Sequence, residues 1–306
     1  MPYIGEAAAL ATAALWSLTS IFFAEAGKRI GAIKVNTIRL LFATVIYAIV
    51  ITLRTGSPVP THLGFDSTLW LALSSIIGLV IGDSLLFKAF VLLGPRLTTL
   101  VFASSPIMAT IIAWAVLGET LGAMDLAAIA ITVGGITWVV SERSAPRHGV
   151  KIPKPHYQFS AYGVLLALGG ALGQAAGLVI SKQAMLHAGQ IVPPMEASFV
   201  RIVFAVVAMW LISAMRGHIP DLLSAFKQRG AMLFTLGGTI VGPFLGIWMS
   251  LVAVSLIEAG IAATLNAMVP VLVIPLVIFY YKERVSGRAI VGALVAVSGV
   301  ALLLLY

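Results

Sequence analysis

Residues 78–119 read GLVIGDSLLFKAFVLLGPRLTTLVFASSPIMATIIAWAVLGE, and residues 242–283 read GPFLGIWMSLVAVSLIEAGIAATLNAMVPVLVIPLVIFYYKE. The two align without a gap at a shift of 164, a register that continues to Gly135 and Gly299 and holds nine identities in 58 positions. That rate is little above chance for so apolar a composition, so the weight falls on which residues match. Gly78/Gly242, Gly82/Gly246, Pro106/Pro270, Glu119/Glu283 and Gly135/Gly299 are less interchangeable than Leu or Val. Upstream, Arg39-Leu-Leu-Phe-Ala parallels Arg201-Ile-Val-Phe-Ala at a shift of 162. The chain reads as an internal duplication.

On either side of these segments lie apolar runs, each near the ~20 residues that a helix needs to cross the hydrocarbon core. Divided at charges, Pro/Gly turns and polar clusters, they are Gly5–Ala24, Val35–Leu53, Thr68–Leu92, Leu97–Leu117 and Ala123–Val140, then Tyr162–Ile180, Ala197–Met215, Met232–Val254, Ile261–Tyr280 and Ala289–Leu305. Gly94-Pro95-Arg96 predicts a tight turn between the third and fourth. Strand-like alternation is absent, which argues against a β-barrel. The segment Glu142–Phe159, with Arg143, Arg147, Lys151, Lys154 and three prolines, reads as a linker. The expected organisation is a first repeat at 1–141, a basic, Pro-containing linker at 142–159 and a second repeat at 160–306. Ala24-Glu25-Ala26 looks like a signal-peptide cleavage site, but no Lys or Arg precedes the first run as such a peptide requires. That run is expected to remain as a helix.

Composition agrees with a membrane protein. Of 306 residues, 60% are hydrophobic and 10% charged, against roughly 45–50% and about 25% in soluble domains. With no Cys, a disulfide framework, a Cys-ligated zinc site and a thiol nucleophile are excluded. Five scattered His suggest no metal site, and no cofactor is expected. A net charge of +8 would suggest a nucleic-acid partner in a soluble protein. Here the basic residues sit in short loops, so the expected surroundings are the lipid bilayer, without nucleic acid.

Five runs per copy is an odd number, so the copies enter the membrane in opposite directions, as in inverted-repeat transporters. Loop charge tests this independently. The loop after the first run carries Lys28, Arg29 and Lys34, and its counterpart in the second copy only Lys182; the next pair reverses, Arg54 against Arg216, Lys227 and Arg229. With Lys88, near the end of the third run, counted with the loop that follows it, odd-numbered loops hold 15 Lys+Arg and even-numbered loops two, with Arg39 and Arg201 inside runs. By the positive-inside rule the odd loops, linker included, face the cytoplasm and both termini lie outside. The expected location is a prokaryotic plasma membrane.

These features resemble the drug/metabolite transporter superfamily, specifically an EamA-type permease with two EamA-like domains. The resemblance rests on Trp16-Ser17, Gly78-x-x-x-Gly82 followed by Ala89, Pro106, Leu117-Gly118-Glu119 and Gly134-Gly135 in the first copy. In the second it rests on Gly242, Gly246, Ala253, Pro270, Glu283 and Gly299. It implies an all-α bundle of ten transmembrane helices, a 5+5 inverted repeat around a central cavity, moving small metabolites or amino acids, usually outward. The sequence departs from the pattern with Lys282 where the first copy has Gly118, and Gly173 where a second Trp would align with Trp16. Members are often described with cytoplasmic termini, opposite to the charge count here.

A charge inside a run costs about 2.5–3.5 kcal/mol at the helix centre and marks a functional candidate. Arg39 lies five residues past Lys34, within snorkelling reach of the interface, and Arg201 is about as deep from the other side. Each either pairs with an acid, Glu25 or Glu196 respectively, or guards an entrance. Asp83 sits deeper. It is the candidate for proton coupling, or else forms a helix–helix hydrogen bond or an ion pair with Lys88 or Arg39. Gly78, Gly82, Gly242 and Gly246 are candidates for close helix packing. Trp16, Ser17, Ser104, Ser105, Gln174 and Asn266 are candidates to line the cavity, although Trp16 can equally pack and each polar group needs a partner in any case. Pro106, Pro270 and Pro275 would loosen mid-span hydrogen bonds and suit gating. Glu119 and Glu283 fall at run ends, where they cap the following helix or pair with basic residues.

The class of function that fits is a secondary transporter of small organic molecules, an exporter, with proton coupling as one mode. An amino acid, an aromatic metabolite or a lipophilic drug would suit an apolar cavity with a few amide and hydroxyl groups. No P-loop is present, so no ATPase subunit is evident, and no Gly-x-Ser-x-Gly or His-Glu-x-x-His motif supports an intramembrane enzyme. A passive facilitator is the alternative.

Overall fold

The computed structural model describes residues 3–58, 60, 63–141, 160–186, 192–276 and 286–305; the linker at 142–159 and Glu283 lie outside them. In lipid every backbone N–H and C=O must be satisfied within its own segment, and the apolar runs do this as helices. In chain order these are α1 (Ile4–Ile30), α2 (Ala32–Thr55), α3 (Phe65–Ser75), α4 (Asp83–Phe102), α5 (Ser105–Leu117) and α6 (Ala123–Ser141). The second half holds α7 (Ala161–Leu186), α8 (Pro194–Met215), a short α9 (Ile219–Ala225), α10 (Arg229–Thr239), α11 (Ile247–Leu256), α12 (Ala259–Asn266), α13 (Val269–Leu276) and α14 (Gly287–Leu305). Among the described residues ten helical spans are long and apolar enough to cross a membrane. They fall on the ten runs read from the sequence.

The duplication is visible in the backbone. A π-helical stretch, Ile76–Gly82, joins α3 to α4, and another, Ile240–Gly246, joins α10 to α11. The two are displaced by 164, the shift of the sequence repeat. Pro243 lies inside the second; lacking an N–H, it cannot extend the α-helical ladder to Thr239.

One sequence expectation is corrected between the third and fourth spans. Gly94-Pro95-Arg96 does not interrupt the helix, since α4 continues to Phe102. The break comes later, at Ala103 and Ser104, and its counterpart at Ala267 and Met268. Pro106 and Pro270 explain both breaks, because the carbonyls that their missing N–H would have bonded belong to Phe102 and Asn266, the last residues of α4 and α12. These two prolines therefore stand in the first turn of a restarted helix, not mid-helix, whereas Pro275 is inside α13.

α6 and α14 form the most extensive helix pair, and their contact shows the inversion directly. A Cβ on Gly135 would strike the Ala296 backbone and the Gly292 carbonyl, and one on Gly299 would strike the Thr132 backbone and the Ala128 carbonyl. Subtracting 164 turns each set into the other. As numbers rise on α6 they fall on α14, so equivalent helices run antiparallel about a two-fold axis between them.

Each repeat also lends its first helix to the other. α1 packs on α10, α11 and the π stretch of the second repeat, and α7 on α3, α4 and the π stretch of the first. Small residues make these approaches: Ala9, Ala13, Ala167, Ala171 and Ala175 are buried, as expected where close backbone contact and not a hydrophobic drive holds helices together. The outward faces carry large apolar side chains instead, among them Ile49, Ile111, Trp114, Leu165, Leu211 and Leu294.

Candidate functional site

The π stretch of the third span sets Asp83 at the first turn of α4. Arg39 on α2 donates from Nη2 to Asp83 Oδ2 at 2.7 Å, and both are buried. Gln174 on α7 donates to the other carboxylate oxygen and, at 3.4 Å, to the Gly78 carbonyl within the π stretch. The Arg39 guanidinium carbon lies 5.9 Å from the Trp16 ring, 5.5 Å from Phe23 and 6.0 Å from Phe87, within cation–π range. The ion pair thus joins α2 to α4 of the first repeat and the Gln174 hydrogen bond ties it to α7 of the second, with α1 alongside.

Of the contacts open to Asp83, both an ion pair with Arg39 and a helix–helix hydrogen bond, from Gln174, are formed. Glu25 pairs instead with Lys28 at 2.6 Å. Arg39 does not snorkel; it is 6% exposed, because a carboxylate inside the bundle holds it there. Arg201 on α8 is 4% exposed. Its backbone carbonyl accepts a hydrogen bond from Ser75 Oγ at 2.6 Å, and its guanidinium lies 3.4 Å from where a Gly78 Cβ would be. The expected pairing with Glu196 is not formed, and Arg201 Nε has no partner.

The second π stretch is read by different residues. Tyr47, fully buried, donates to the Phe244 carbonyl at 2.7 Å, and Thr12 Oγ1 approaches the Gly246 carbonyl at 3.5 Å. Sequence reading passed over both; the available signal was a phenol inside an apolar run, whose O–H needs an acceptor.

The remaining candidates separate. Ser17 shares its one hydroxyl proton between the Ala13 and Val269 carbonyls, and Ser105 donates to that of Ala171 at 3.3 Å. Both are buried and tie α1 to α13 and α5 to α7, at the equivalent positions 269 and 105. Ser104 donates to the Val101 carbonyl beside the helix break. Asn266 ends α12, and its Oδ1 has no partner. Trp16 is half-buried, its indole Nε1 3.1 Å from where a Gly246 Cβ would be.

The glycines mark a difference between the copies. Gly78 and Gly82 face Gly177 and Gly173 backbone to backbone, whereas Gly242 and Gly246 face the side chains of Thr19 and Trp16. This accounts for Gly173 standing where Trp16 has its equivalent: a Cβ at Gly173 would lie 2.7 Å from the Gly82 Cα.

Glu119 pairs with Lys182 of α7 and accepts from the Ala259 N–H at 2.8 Å, while Lys182 donates to the Ile257 carbonyl at 2.6 Å. Glu119 therefore caps α12, across the bundle, and not the helix that follows it. Lys182→Met is expected to lower the melting temperature more than the Glu119→Gln/Lys182→Met double variant, because the single change strands a largely buried carboxylate. Equal melting temperatures would show the pair to be solvated.

The comparisons with known proteins agree with this architecture. A solved crystal structure superposes with a TM-score of 0.75 over 99% of this chain and 97% of its own, at 16% sequence identity, a likeness of fold alone. No curated protein matches the chain. The family model described as the EamA-like transporter family matches twice, at residues 3–141 and 161–305. With two such domains, the chain belongs to the EamA-like transporter family.

Proposed function

We propose that this protein is a secondary transporter that exports small organic molecules from a prokaryotic cell, with Asp83 as the proton-coupling group. The observation that carries the reading is the buried Arg39–Asp83 pair with Gln174 bridging to the other repeat. Charges at this depth are costly, and here they join α2 to α4, while Gln174 links the pair to α7 of the other repeat. A proton on Asp83 would remove the charge that Arg39 and the Gln174 amide both face, weakening the α2–α4 pair and the α4–α7 hydrogen bond between the repeats and so biasing the populations of two arrangements. Trp16 beside Arg39 offers a stacking surface, and the buried Asn266 Oδ1 is an acceptor without a partner. Pro106, Pro270 and Pro275 give the fourth and ninth spans places to bend.

The test is an untargeted comparison of the medium from cells with and without the protein, followed by flux of the compound found in proteoliposomes under an imposed pH gradient. Gradient-dependent export supports the reading. Flux that ignores the gradient would make the protein a passive facilitator instead.

The same reading places the 142–159 linker in the cytoplasm and both termini outside, on the 15-to-2 division of loop charge. A reporter fused after Tyr306 is expected to signal from the extracytoplasmic side, and one inserted between Arg143 and Lys154 from the cytoplasm. The opposite signals would reverse the orientation while leaving the inverted repeat intact.

A further inference from the structure

Arg201 is the buried charge that the network leaves unsatisfied. The two oxygens of Asp83 are already taken by Arg39 and Gln174, Glu196 does not bond Arg201, and no described residue accepts a hydrogen bond from its guanidinium. Arg39, Asp83 and Arg201 together carry one net positive charge inside the bundle, where an ion is tolerated only when paired. Gln174, which donates to Asp83, also reaches the Gly78 carbonyl, and the Arg201 guanidinium lies 3.4 Å from where a Gly78 Cβ would be, so both guanidinium groups border the same π stretch.

We propose that Arg201, together with Arg39, takes the anionic group of the transported molecule, so that the substrate is a small organic anion: a carboxylate or an equivalent oxyanion on an apolar or aromatic body. This rests on the transporter reading and narrows it. A guanidinium presents five N–H donors in a fork that fits two oxygens of one anionic group. With no side chain at Gly78, Arg201 Nη2 comes close to the backbone of the π stretch, 3.4 Å from where a Cβ would lie. Trp16, Phe23 and Phe87, half-buried around Arg39, give an apolar body its surface. An anion arriving here competes with Asp83 for Arg39, which ties binding to release of the carboxylate.

The test is equilibrium binding to the purified full-length protein in phosphatidylcholine nanodiscs. Thermal stabilisation is measured with benzenesulfonate, a permanent anion, and with benzenesulfonamide, its neutral isostere. The anion is expected to raise the melting temperature with dose, as a ligand of the folded state does, and the amide not to. Arg201→Gln is expected to weaken the apparent affinity about 10- to 100-fold, and Arg201→Lys less. No response to the anion, equal stabilisation by both probes, or an undiminished response in a folded Arg201→Gln protein would each overturn the proposal. The two-probe comparison on the unaltered protein stands even where Arg201→Gln fails to fold. A response abolished by adding phosphatidylglycerol to the nanodiscs would assign the site to a lipid headgroup and overturn it too. Because binding is read without flux, a failed export assay sinks the transporter reading separately.

Discussion

Gly82→Leu should leave little folded protein, and Gly246→Leu should fold but melt at a lower temperature. A Cβ at Gly82 would lie 3.1 Å from the Ile77 carbonyl, 3.2 Å from Gly173 C and 3.3 Å from Gln174 N. The first belongs to the π stretch that carries Gly82 and the other two to the backbone of α7, so the rest of a leucine side chain must push α7 away from this span. Overpacking typically costs about 1–3 kcal/mol, and backbone on both sides puts Gly82 at the top of that range. At Gly246 the obstacle is the indole of Trp16 at 3.1 Å, which can rotate. Gly134→Leu is the control, since nothing lies within 4 Å of its added Cβ and it faces outward. Yield and melting temperature in detergent are the readouts. A Gly82→Leu protein as stable as Gly134→Leu would remove the packing argument.

Replacing Asp83 with Asn is expected to have two separable effects. The first is on stability: breaking a buried pair by removing one partner costs about 3–5 kcal/mol, because Arg39 keeps its charge among Trp16, Phe23 and Phe87 with no carboxylate to face. Arg39→Gln/Asp83→Asn removes both charges and should recover much of the lost melting temperature. The second is on coupling. In Asp83→Asn, which keeps Arg39, nothing at position 83 can take up or release a proton, so uptake into proteoliposomes should proceed equally at two imposed pH gradients. A folded Asp83→Asn protein whose transport follows the gradient as the unaltered protein does would exclude Asp83 as the coupling site.

The fold was legible because its constraints are periodic and global. Span length follows bilayer thickness, and the shift of 164 that aligns Gly78 with Gly242 is the one that relates the two π stretches and the α6–α14 pair. The helix breaks were less legible. Gly94-Pro95-Arg96 carries strong turn residues yet lies within α4, while Pro106 and Pro270, read as loosening agents, end the helices before them. Local turn chemistry loses where flanking apolar residues keep the backbone in lipid. At the candidate site, residue types were readable and partners were not. Asp83 and Arg39 stand 44 residues apart, and Glu119 and Lys182 belong to different repeats. Which acid meets which base depends on helix exchange between the repeats, and no spacing within a single run encodes that.

The exchange of first helices has a consequence for the order of synthesis. α1 leaves the ribosome first, but the Gly246 carbonyl that Thr12 approaches is made 234 residues later. At about 5–20 residues per second this leaves α1 in the bilayer for roughly 10–50 s before α10 and α11 arrive. Its polar side chains are provided for in the interval. Thr12 donates to the Ala8 carbonyl, Ser17 to Ala13 and Thr19 to Leu15, each four residues back on the same helix. The nascent helix carries its own acceptors, so it can wait in lipid with these hydroxyls satisfied and then share the single proton of Thr12 and of Ser17 with the Gly246 and Val269 carbonyls.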